Sequence, residues 1–102
     1  MPADTDFLGN AMLHIVKSVD KLKLALTYSQ PQDNFLLVED AVYVCLPNHE
    51  LFTQICAVDQ VSVLKPDLDS RGLQPLVSGA LSQVDFDGFV KLTVLNDKSV
   101  TW

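Results

Sequence analysis

Glu39-Asp40 closes the apolar stretch FLLV, and Cys45 follows five residues after Asp40. Two adjacent carboxylates at the end of a strand have the makings of an acid–base pair, and a thiol held as its thiolate is a nucleophile or a sulfur carrier. Each reading meets a geometric objection. Along a continuous strand neighbouring side chains point to opposite faces, so Glu39 and Asp40 converge only where the backbone turns. Asp40 has a ready role as the cap of a short helical segment over 41–46, and Glu39 as the partner of a cation on this chain or another. Cys45 falls near the C-terminal end of that segment, with no Lys or Arg within ten residues on either side. A helix C-terminus raises a thiol's pKa. Cys45 is therefore read as a buried or interface thiol, although it is the one catalytic candidate the chain offers.

The other reactive residue types give less. Cys56 is placed on the apolar side of a helix with Phe52, where small thiols pack as hydrophobes. Cys45, His49 and Cys56 are spaced by three and six intervening residues, but Pro47 breaks the helix that would align the first two, and no fourth ligand or Cys-x-x-Cys accompanies them, so no metal is expected. His14 lies inside an apolar run and reads as a hydrogen-bonded core or interface histidine, with a proton-shuttle role as the alternative. Asp67, Asp69 and Arg71 make a charged turn, read as a solvated helix start or, for Arg71, an ion pair across an interface. Phe86, Phe89 and Trp102 fit a core or an interface equally well. There is no glycine-rich phosphate loop, so no nucleotide and no other cofactor is expected.

These residues must be positioned by a small frame. The chain has 102 residues, enough for one domain, and 48% of them are hydrophobic. Lys and Arg number 7 against 13 Asp and Glu, a net charge of −6 without any basic stripe, which argues against direct nucleic-acid binding. The N-terminus is polar and acidic, unlike a signal peptide, and no apolar run approaches a membrane span in length; a cytoplasmic chain with free thiols is expected, with no membrane partner.

Residues 1–11 are read as a disordered N-terminal extension or an expression remnant, because a second methionine, Met12, opens the first apolar run. MLHIV (12–16) predicts a strand. Ser18 or Asp20 predicts the cap of a helix over about 20–29. FLLV (35–38) predicts a second strand, apolar throughout because both faces are covered. Asn48 predicts the cap of a helix over about 49–57. VSVL (61–64) predicts a third strand, Asp67 a helix cap, Gly72 a helix stop, and SQVD (82–85) a short fourth strand. Asp85 predicts the cap of a last helix through about Asn96, with Phe86, Phe89, Val90 and Val94 on one stripe. Strand–helix alternation predicts an α/β domain over 12–102, a parallel sheet of about four to five strands with helices on both faces.

Five segments in this order, MLHIVKS, LLVEDAVY, VSVLKPDLDSRGL, VDFDGFVKLTV and the final TW, resemble the TusB/DsrH family of small subunits of sulfur-relay complexes. Asp67-Leu68 and Arg71-Gly72 match the family's Asp-Leu…Arg-Gly pattern. The resemblance implies a three-layer DsrE/DsrF/DsrH-like fold and a heterohexamer with TusC-like and TusD-like sister subunits. It also implies indirect dealings with TusE-like and TusA-like sulfur carriers, on the way to 2-thiolation of the wobble uridine of tRNA. A DsrEFH-type role in sulfur oxidation is the alternative. DsrH-type chains of sulfur oxidisers bear a cysteine in the first helix, near Ala25 here, but this sequence has no cysteine between Met12 and Val44, which favours the tRNA version. The chain is then expected to be non-catalytic on its own, the contrary reading being a sulfurtransferase that carries persulfide on Cys45. His14, Glu39, Asp40, Asp67, Arg71, Phe86, Phe89 and Trp102 are the expected interface or structural residues.

Overall fold

The computed structural model describes residues 12–58, 60–77, 79–96 and 98–102; the expectation for residues 1–11 lies outside them. The first strand, β1 (Met12–Val16), leads into α1 (Val19–Tyr28), β2 (Asn34–Leu37), a 3-10 helix (Glu39–Cys45) and α2 (Phe52–Cys56). Then come β3 (Val61–Leu64), α3 (Lys65–Ser70), a 3-10 turn (Gln74–Leu76), β4 (Ser82–Val84), α4 (Phe86–Leu95) and β5 (Lys98–Thr101).

All five strands are parallel, in the order β4-β3-β2-β1-β5. The connections from β1 through β4 all step one way across the sheet, while β4 to β5 steps back across it. Right-handed crossovers therefore place α1, the 3-10 helix, α2 and α3 on one face and α4 on the other. The core divides accordingly. On the first face Val16, Phe35, Leu37, Val61 and Val63 meet Leu22, Ala25, Ala41, Val44, Ile55 and Leu68. On the second, Leu13, Leu36, Val38 and Leu64 meet Phe89 and Leu92 of α4. This is the expected α/β architecture, with apolar residues on both sides of the central strands.

The local signals account for most elements. Ser18 caps α1 by accepting the Lys21 N–H (3.3 Å), and Asp85 caps α4 by accepting the Gly88 N–H (2.8 Å). Gly72, at φ +66°, stops α3, helped by the Leu73 N–H bonded to the Leu68 carbonyl (3.0 Å). Three expectations are corrected. Asp40 is not a cap: Val38 occupies that position and the 3-10 helix begins at Glu39, leaving Asp40 inside the first turn with its carboxylate turned outward. Asp67 does not cap its own helix, which starts at Lys65 with Pro66 in the first turn. Asn48 does not cap α2, which is shorter than expected; the His49 Nδ1 takes the Leu51 N–H instead (3.1 Å). The fifth strand, KSVT, had no local signal at all.

The seating of α4 depends on Gly88, where an added Cβ would lie 2.8 Å from the Val84 Cβ. Alanine gains about 1 kcal/mol of helix propensity, but overpacking costs about 1–3 kcal/mol. Gly88→Ala should therefore lower the thermal midpoint, and adding Val84→Gly, which removes the Cβ that the new methyl would meet, should give a double variant more stable than the sum of the single effects. A Gly88→Ala chain as stable as wild type would contradict this close approach of α4 to β4.

Candidate functional site

Ligands of parallel sheets usually sit beyond the carboxyl ends of the strands. Here that edge gathers Glu39 and Asp40 after β2 and the α3 segment after β3. Glu39 has φ +49°, a left-handed conformation rare outside glycine. The backbone thus turns where the two carboxylates meet, yet they do not become a pair. The Arg71 guanidinium donates to Asp40 Oδ1 from Nε (3.3 Å) and Nη2 (3.1 Å). Its Nη1 lies 3.8 Å from Asp67 Oδ1. Asp67 Oδ2 accepts the Glu39 N–H at 2.6 Å, so it caps the 3-10 helix from 28 residues away. Among the described residues the Glu39 carboxylate has no partner. The edge is a structural clamp with one free acid, not an acid–base dyad.

The second concentration of polar groups is buried. His14 (2% exposed) projects from β1 between two partners. Its Nε2 bonds Asp33 Oδ2 (2.8 Å), and its Nδ1 accepts the Trp102 indole N–H (3.0 Å). The indole can only donate, so Nδ1 is the bare nitrogen and Nε2 carries the proton. Asp33, 4% exposed, also accepts the N–H groups of Met12 (3.1 Å) and Gln30 (2.9 Å). Burial pushes its pKa up, but those amides and His14 together hold it below the ordinary carboxylate value. Four rings stack along this line. Tyr28 lies 5.9 Å from Trp102, Trp102 6.1 Å from His14, and His14 4.9 Å from Phe35. His14 and Trp102 were singled out in the sequence; Asp33 and Tyr28 were not. Asp33 sits in QPQDN and carries an ordinary turn signature, and only the parallel pairing of β1 with β2 brings it under His14.

The thiols diverge. Cys45 is 2% exposed, and burial, aided by the nearby Cys56 sulfur, pushes its pKa up to about 12. Such a thiol is neither ionised nor reachable. Cys56 corrects the sequence expectation: it is exposed, because α2 turns Leu51 and Ile55 to the core and Cys56 outward. Phe86 (60% exposed), Val90 and Val94 (77%) form an exposed apolar stripe on α4, Leu95 is exposed elsewhere on the same helix, and Phe89 packs against the second core. A hollow of about 320 Å³ between Ser29–Pro31, Phe35 and Ala57-Val58 opens at the amino ends of β2 and β3, and among the described residues no ionisable side chain lines it. Among the described residues no three His, Cys, Asp or Glu side chains group to hold a metal ion. No helix among them is long and apolar enough to cross a membrane.

Asp33→Ala strands the His14 Nε2–H in the interior and leaves two part-buried backbone N–H groups without their acceptor, and should cost about 3 kcal/mol in denaturant unfolding. Because the folded carboxyl has a lowered pKa, its contribution is complete above the unfolded value of about 3.9 and is lost as pH falls through the folded one. Wild type should therefore lose part of its stability on acidification below about pH 4. Asp33→Asn should lack that part; an identical acid limb in both would refute the assignment.

Residues 17–99 match the family model described as DsrH like protein. The chain is 33% identical over 90 residues to proteins named TusB from Salmonella dublin, Salmonella enteritidis and Salmonella typhimurium, an alignment spanning 87% of this chain and 94% of each relative. A family model that matches most of the chain, together with relatives one-third identical over nearly all of it, shows that the chain belongs to the TusB/DsrH family.

Proposed function

We propose that the chain is a non-catalytic structural subunit of a cytoplasmic heterohexameric sulfur-relay complex, passing persulfide sulfur towards 2-thiolation of the wobble uridine of tRNA. Membership of the TusB/DsrH family supports a sulfur-relay subunit role. The observation that carries the structural part of the reading is the stripe Phe86, Val90 and Val94 on α4, where three large apolar side chains stand in solvent on one side of a short helix. Water disfavours such a surface by about 25 cal/mol per Å² of apolar area, and protein contact relieves it. TusC-like and TusD-like chains are the partners that the family suggests. The buried Cys45, with its raised pKa, supports a chain that shapes the relay without carrying the sulfur. The net charge of −6 supports indirect rather than direct dealing with tRNA.

Co-expression with TusC-like and TusD-like chains should give one hexameric species by native mass. Phe86→Asp combined with Val90→Asp should lose it while leaving the far-ultraviolet circular dichroism of the isolated chain unchanged. Assembly that tolerates both charges would overturn the role given to α4. In the same complex, Cys45→Ala should leave sulfur transfer to the downstream carrier within about twofold, a barrier change well under 1 kcal/mol. Mass spectrometry of the wild-type complex after loading should find persulfide on a sister subunit. Persulfide on Cys45 or on the exposed Cys56 would make this chain a carrier and end the non-catalytic reading.

A further inference from the structure

We propose that His14 is a protonation-controlled latch: its bare Nδ1 holds the Trp102 indole against the sheet, and a proton on that nitrogen releases the end of β5. The inference stands on the hydrogen-bond pattern. Both ring nitrogens are engaged, one towards a carboxylate and one towards a group that can only donate. Adding a proton from solvent to Nδ1 sets two N–H donors against each other at a spacing of 3.0 Å. The same proton turns the Nε2 contact with Asp33 into an ion pair. One side of the ring is strengthened and the other is broken, so the indole must leave while His14 stays with Asp33.

The surroundings fit such a release. Asp33 faces the ring from the entry to β2 and, with its lowered pKa, remains ionised through the range in which an imidazole titrates. From α1 the Tyr28 phenol approaches only through the indole, and Lys21 and Lys23 are exposed. On β5, Lys98 pairs in register with Met12, not His14, and is exposed. Among the described residues no other charged side chain contacts the ring. The departing group is also the lightly held one. Trp102 is half-buried, its outer stacking partner Tyr28 is 68% exposed, and β5 is an edge strand paired only with β1. One backbone bond, from the Trp102 N–H to the Ile15 carbonyl (2.8 Å), continues the strand into the tryptophan. Loss of the indole anchor therefore opens a short local segment rather than the domain.

Trp102 is the only tryptophan of the chain, so its fluorescence reports the latch directly. Emission of the full chain, followed as the pH is lowered for as long as the far-ultraviolet circular dichroism is unchanged, should shift to the red in one step. His49→Gln should keep the step and His14→Gln should abolish it. Should His14→Gln fail to fold, the wild-type protein still decides. In its proton–nitrogen spectra the Trp102 indole resonance should move with the same midpoint as the His14 ring. A His14 ring that titrates while the indole resonance stays in place, or a fluorescence step that survives in folded His14→Gln, overturns the proposal. So does emission that stays flat until the far-ultraviolet circular dichroism itself is lost.

Discussion

The double pairing of β1 bears most of the fold. Met12–Val16 is hydrogen-bonded in parallel to β2 on one edge and β5 on the other, and both of its faces are covered. A strand so enclosed has no water to satisfy a polar group, so each polar side chain on it needs built-in partners. His14 is that group. Its partners come from the residue before β2 and the residue after β5, the two strands that pair with β1. The ring therefore ties together the same three segments that the ladder joins, and among the described residues no buried side-chain nitrogen or oxygen is left without a partner. Chain order matters here: β5 can sit beside β1 only because the last crossover returns over the opposite face, which brings α4 onto the second core.

Wherever structure is dictated by neighbours in sequence, the sequence was legible. β1, β3, the capped start of α1 and the Asp85 start of α4 follow from apolar runs and side-chain caps within three residues. Where the deciding partner is remote, legibility fails. Asp40 looked like a cap because it precedes an apolar segment, but Asp67 supplies the acceptor from 28 residues away and Glu39 turns to meet it. KSVT shows no apolar alternation because it is an edge strand whose residues are largely exposed, and its partner β1 lies more than eighty residues away (Lys98 against Met12). Cys56 was misassigned to the core because a five-residue helix has too few turns for a period to be read with certainty of phase.

The candidate site divides along the same line. His14 and Trp102 are visible singly, as a histidine in an apolar run and an aromatic after the last strand, but their link spans 88 residues. Asp33 completes them and is hidden among turn residues. The burial of Cys45 was expected for a local reason, its place among apolar neighbours with no cation nearby, and the structure buries it. Burial in turn pushes its pKa up. The thiol lies within the first core, whereas the exposed residues on α4 stand in solvent.

The carboxyl edge shows why an acidic motif can be structural although its backbone is strained. Holding Glu39 in the left-handed region costs about 1–2 kcal/mol relative to an ordinary helical start. A hydrogen bond from its N–H to an ionised carboxylate returns about 1.5–3 kcal/mol, and the 2.6 Å contact to Asp67 is of that kind. The two are comparable, so the bond to Asp67 offsets the strain locally. Arg71 then decides the direction of the clamp. With its side chain 24% exposed, it neutralises part of the charge of both Asp67 and Asp40, which would otherwise repel across the junction of β2 and α3. Removing the cation would leave two carboxylates facing each other over a strained turn. Removing Asp67 would leave the turn without its acceptor. The motif that looks most like chemistry in the sequence is thus what lets the chain reverse after β2, and its one free carboxylate, on Glu39, faces outward, where a second chain can reach it.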